Sequence, residues 1–93
     1  MSEISFSSVW DAIEETPELA QNMKLRSSMM MALEAHIKAQ GWTQAEAAKI
    51  LQITQPRVSD LMRGKIDLFG LDALVTMLTA VGLNVELHIS EAA

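Results

Sequence analysis

Residues 42–65, WTQAEAAKILQITQPRVSDLMRGK, decide the fold. Thr43 followed three residues later by Glu46 is a capping-box pattern. The Thr hydroxyl accepts from a first-turn amide while the Glu carboxylate takes the amide of the cap itself. A helix is predicted to begin there. Small or apolar residues follow at Ala47, Ala48, Leu51, Ile53, Val58 and Leu61, which is helical spacing on either side of a break near Gln52. Thr54 caps a second helix, in which Pro56 is tolerated because first-turn amides have no intrahelical acceptor to lose. Gly64 supplies a left-handed stop. Two short helices joined by a tight turn make a helix-turn-helix, whose second helix is the one such motifs present to the major groove of DNA.

Upstream, Thr16-Pro17-Glu18 is a helix start, with Pro at the first helical position and an acid at the positive end of the dipole. Leu19, Met23, Met30, Leu33 and Ile37 then share one face, and nothing breaks the helix before Gly41. Residues 1–16 read as an N-terminal arm: Ile4 and Phe6 alternate with serines, and Val9, Trp10 and Ile13 have the spacing of a short helix over residues 8–14. Residues 17–93 form the domain. Downstream, Phe69 is a core anchor, and Leu71, Leu74, Val75, Leu78 and Val81 run at helical spacing to Gly82. The fold class is therefore a mainly α bundle built around the helix-turn-helix.

The last segment changes period. Leu83, Val85, Leu87 and Ile89 alternate with Asn84, Glu86, His88 and Ser90, the pattern of a half-buried strand. A single strand leaves its ladder groups unpaired and needs a neighbour. Three are available: residues 4–8 of the arm, the same strand of a second chain, or a partner protein. The two-fold pairing is favoured, because recognition of a palindromic site requires a dimer with its reading helices about 34 Å apart.

Ninety-three residues suffice for one core, and 49% apolar composition is that of a globular chain. Without cysteine the fold cannot lean on disulfides or thiolate metal sites. The start Met-Ser-Glu has no basic leader, and the longest apolar run, Met29 to Leu33, is five residues, so a cytoplasmic protein with no membrane span is expected. Net charge is −5, which at first argues against nucleic acid, but the charge is unevenly placed. Residues 42–65 hold Lys49, Arg57, Arg63 and Lys65 against Glu46 and Asp60, a local +2, whereas residues 1–41 carry −3 and residues 66–93 carry −4. A locally basic head on an acidic body can bind DNA specifically while its non-specific affinity stays weak and salt-dependent. The acidic remainder serves solubility and would also suit a basic partner.

The segment resembles the helix-turn-helix of the lambda-repressor-like (XRE) family, and TQPRVSDLMRGK followed by Phe69 is similar to its HigA-type antitoxin branch. The family's small residue at the helix crossing falls on Ala48. Its core positions fall on Ala47, Leu51, Ile53, Val58 and Leu61. Where the family often has Gly in the turn, this chain has Gln52, which reaches positive φ at modest cost. The resemblance implies a repressor that binds a double-stranded operator as a homodimer. It also implies an antitoxin that neutralises a RelE/HigB-like toxin and controls its own operon.

With Val58 and Leu61 inward, Gln55, Arg57, Ser59, Asp60 and Arg63 are left for the outside of the second helix. Gln55 suits a bidentate contact with adenine, and Arg57 suits guanine or phosphate. Thr43, Gln44 and Thr54 lie at helix starts that can hold a phosphate, and Lys65 is placed for another. Each has a plainer role: the threonines cap, Asp60 balances Arg57 or Arg63, and Lys49 is a solvated charge. The expected DNA-binding set is Thr43, Gln44, Thr54, Gln55, Arg57, Ser59, Arg63 and Lys65, and the expected dimer set is Leu83, Val85, Leu87 and Ile89. Six internal methionines, Met23, Met29, Met30, Met31, Met62 and Met77, fill core gaps or adapt to partners, and Met29 and Met31 cannot both face the way Met30 does. No phosphate loop, nucleophile constellation or metal-ligand spacing surrounds Ser27, Ser28, His36 or His88, so no catalytic residue, metal or cofactor is expected.

Overall fold

The computed structural model describes residues 16–91. Its helices are α1 (Pro17–Gln40), α2 (Gln44–Leu51), α3 (Gln55–Met62) and α4 (Leu71–Ala80), with a 3-10 turn η1 (Ile66–Leu68) before the last. The expected helix over residues 8–14 and the strand over 4–8 lie outside the described residues.

Each of the first three helices starts where the sequence offers a cap. Thr16 Oγ1 accepts from the Leu19 amide at 3.1 Å, ahead of Pro17. At Thr43 both halves of the capping box are made, with the Glu46 amide donating to the Thr hydroxyl at 3.1 Å and the Thr43 amide to Glu46 Oε1 at 2.8 Å. Thr54 Oγ1 accepts from the Arg57 amide at 3.3 Å. A residue of positive φ stops each helix, at the cap itself for α1 and α2 (Gly41 and Gln52) and one residue past the cap for α3 and α4 (Gly64 and Gly82). At Gln52 (φ 59°, ψ 44°) the cap amide returns to Lys49 and the Ile53 amide to Ala48, so the carbonyls at the end of α2 are satisfied by a Schellman arrangement. The turn therefore keeps the left-handed geometry that glycine would supply, at a cost of about 1 kcal/mol for the side chain.

The core forms where the apolar stripes converge. Met30, Leu33 and Ile37 of α1 meet Ala47 and Leu51 of α2, Val58 and Leu61 of α3, Phe69, and Leu74, Met77 and Leu78 of α4. Leu33, Val58, Leu61, Phe69 and Leu74 are sealed from solvent. Full burial of each such side chain contributes about 1.5–3 kcal/mol. α1 packs against α4, η1 and α3, while α2 packs against both α3 and α4. Trp42 closes one edge, its ring standing edge-on to His36 with centroids 5.7 Å apart.

The stripes differ from expectation at their ends. On α4 the buried set is Leu74, Met77 and Leu78, and Val75 faces outward. Val75 lies one residue past Leu74, about 100° around the helix, whereas Met77 and Leu78 at i+3 and i+4 return to its face. On α1 Leu19 is exposed, whereas the next residue, Ala20, about 100° around the helix, is buried. Of the methionines, Met30 and Met77 are buried and Met29 and Met62 pack against the core, whereas Met31 is 57% exposed.

Residues 83–91 form no helix, and no strand occurs among the described residues. Leu83 packs against the core, but Leu87 and Ile89 are 78% and 80% exposed. The expected C-terminal strand thus has the alternation of a strand and, within one described chain, no ladder partner.

Candidate nucleic-acid interface

The two helices of the motif are held at their crossing by Ala47 and Leu51 against Val58 and Leu61, all buried, with Ala48 and Ile53 packed at the margin. Ala48 presents only a methyl group, so the helices approach closely there. This clamp fixes the outward face of α3. Gln55, Ser59 and Arg63 succeed one another at intervals of four residues and so form one stripe away from Val58 and Leu61. Gln55 and Arg63 are exposed, Ser59 half-buried. Gln55 and Pro56 are the first two residues of the helix, beside the Thr54 cap.

Arg57 takes a different course. It lies one turn before Leu61, on the flank of α3 that faces the body, and its guanidinium carbon sits 4.1 Å from the centroid of the buried Phe69 ring. Nη1 donates to the Leu68 carbonyl at 2.7 Å. The side chain is half-buried and committed to the segment after α3. A planar guanidinium stacked on a ring and directed at a carbonyl is turned toward the body, so its remaining N–H groups are not extended along the outward stripe.

The remaining expected residues fall at the two helix starts and after the last turn of α3. Thr43 and Thr54 are exposed with their hydroxyls engaged as caps, and Gln44 is exposed at the first position of α2. Lys65 Nζ lies 3.5 Å from Asp60 Oδ1, a pair about a third open to solvent, and such pairs stabilise by at most about 1 kcal/mol. Arg63 and Lys49 make no ion pair among the described residues. Lys49, read from sequence as a solvated charge, is thus one of two unpaired cations on the motif, a status visible only once Arg57 and Lys65 are seen to be engaged. Among the described residues no group of His, Asp or Glu is placed to hold a metal ion, and no helix is long and apolar enough to cross a membrane.

Two comparisons agree with this geometry. The model of a helix-turn-helix domain family (HTH_37) matches residues 12–90. A solved structure named as an XRE-family transcriptional regulator superposes with a TM-score of 0.73 at 34% sequence identity, the match covering 78% of this chain and 82% of that chain. No curated protein matches the sequence.

Proposed function

The chain belongs to the XRE-like helix-turn-helix family, and from that membership we propose that it is a sequence-specific DNA-binding transcriptional repressor, acting in the cytoplasm as a homodimer on a two-fold operator. The observation that carries this reading is the α3 stripe of Gln55, Ser59 and Arg63, projecting from a buried clamp with the capped helix start at its leading end. Gln55 reads a base, with adenine the matching partner for a side-chain amide. Arg63, Lys49 and the open ends of α2 and α3 hold the sugar-phosphate backbone on either side. Arg57 contributes by fixing the segment after α3. The chain carries no catalytic role in this account. The test is DNase footprinting on the DNA upstream of its own gene, with Gln55→Ala expected to need a higher protein concentration for the same protection while the protein remains folded.

A second role, as the antitoxin of a toxin-antitoxin pair, is supported by one surface. Met31 stands 57% exposed beside a recess of about 100 Å³ lined by Met30, Ile66, Glu34 and Ser27, on a body whose charge outside the motif is acidic. An apolar dimple rimmed by a carboxylate suits a basic partner such as a RelE/HigB-like toxin. Inspection of the neighbouring gene and co-expression with its product test this role. A small basic protein whose growth arrest is relieved is expected, and absence of any such neighbour leaves a solitary regulator.

A further inference from the structure

The C-terminal segment leaves an alternating apolar face next to a groove. Ser28, Met29 and Ala32 of α1, Leu78 of α4, and Leu83 to Val85 line an open groove of about 310 Å³. Val85 belongs both to this groove and to the exposed row that continues through Leu87 and Ile89. Groove and ridge on one surface are the requirement for an isologous contact, in which a second copy supplies what the first lacks.

Taking the homodimer reading above as its basis, we propose that two copies pair antiparallel through residues 83–91 in one register, with Leu87 opposite Leu87, Val85 opposite Ile89 and Glu86 opposite His88. The register follows from geometry and charge. Residues directly opposite in an antiparallel pair lie on the same face, so a two-fold normal to the ribbon must pass beside a residue and not between two. A centre at Glu86 sets two carboxylates against each other, and a centre at His88 sets two imidazoles together and places Glu91 against Val85. Like groups of that kind directly opposite are unfavourable. A centre at Val85 drives Ile89 against Val81, in the turn that ends α4. A centre at Ile89 sets the apolar Leu87 against the Glu91 carboxylate. A centre at Leu87 avoids all four faults. It pairs each Glu86 carboxylate with a His88 ring N–H, and it brings Ile89 of the second copy beside Val85, where its side chain enters the groove between Met29, Ala32 and Leu78.

Because the chain has no cysteine, single substitutions report the register directly. Opposed residues have Cα separations of about 4.5 or 5.5 Å, within the reach of a disulfide. Under mild oxidation Leu87→Cys is expected to give covalent dimer. An equal mixture of Val85→Cys and Ile89→Cys is expected to cross-link, and each alone is not. In a second measurement, sedimentation equilibrium, Glu86→His and His88→Glu each weaken association several-fold, and the double exchange restores it. Leu87 is 78% exposed in the single chain, so helical circular dichroism is expected to be unchanged. Cross-linking led by Glu86→Cys or His88→Cys overturns the register. A dimer in sedimentation that no variant cross-links, and that the charge exchange leaves alone, places the seam elsewhere. A monomeric wild-type protein overturns the dimer reading itself.

Discussion

The Arg57 guanidinium lies over the Phe69 ring at 4.1 Å and reaches the Leu68 carbonyl at 2.7 Å. This contact ties the reading helix α3 to the segment that follows it, across the sealed side of the bundle. A cation on an aromatic face contributes about 0.5–2 kcal/mol, and a hydrogen bond from a charged donor about 1.5–3 kcal/mol. The two share one side chain and are not additive. Arg57→Ala is therefore expected to destabilise the fold by about 2 kcal/mol, seen as a fall in Tm of roughly 10 °C in thermal melts. Arg57→Lys is expected to recover less than half of that, because an ammonium lacks the planar fork.

If Arg57 positions and does not read, its loss also has a distinct signature on DNA. Below the melting range, Arg57→Ala is expected to lower affinity for all sequences alike, with the preferred bases unchanged in a binding-site selection. A change of preference at one base pair would instead assign it a direct contact.

Gln52 is the only non-glycine residue at positive φ among the described residues. Gln52→Gly removes the side-chain penalty of the left-handed conformation but adds chain entropy to the unfolded state. The first effect is the larger. Stability is expected to rise by about 0.5–1 kcal/mol, measured by urea denaturation as a higher midpoint at unchanged m.

Thr43 makes a capping box that both starts α2 and fixes its open end. Thr43→Ala is expected to cost about 1 kcal/mol in the same denaturation experiment.

Salt dependence follows from which cations are engaged. Each phosphate neutralised contributes about 0.9 to the slope of log K against log salt. Arg63→Ala and Lys49→Ala, at the unpaired positions, are each expected to reduce the slope by about that amount per reading head. Asp60→Ala, which frees Lys65, is expected to steepen it.

The helix-turn-helix was legible in the sequence because its signals are local. Caps at Thr43 and Thr54, apolar spacing from Ala47 to Leu61 and the stop at Gly64 each act within one or two turns, and they agree with one another. Arg57 was harder to read. Its type suits DNA, but its position one turn before Leu61 places it on the body side, and its partner Phe69 lies twelve residues on, beyond any local pattern. The exchange of Val75 for Met77 on α4 has a similar origin, since a helix face is set by what packs against it and several phases fit the same apolar run. For residues 83–91 the alternation is plain, but no strand forms among the described residues, and a ladder partner is nothing that the segment's own pattern can name. The sequence therefore specifies the face and not its neighbour.

The most direct test of the reading-head account is selection of binding sites from randomised duplexes by the wild-type protein and by Gln55→Ala, with circular dichroism confirming equal helix content. The account predicts a two-fold symmetric site for the wild type, and for the variant a loss of preference at one symmetry-related pair of positions worth roughly 1–3 kcal/mol. An unchanged site at unchanged affinity would contradict it.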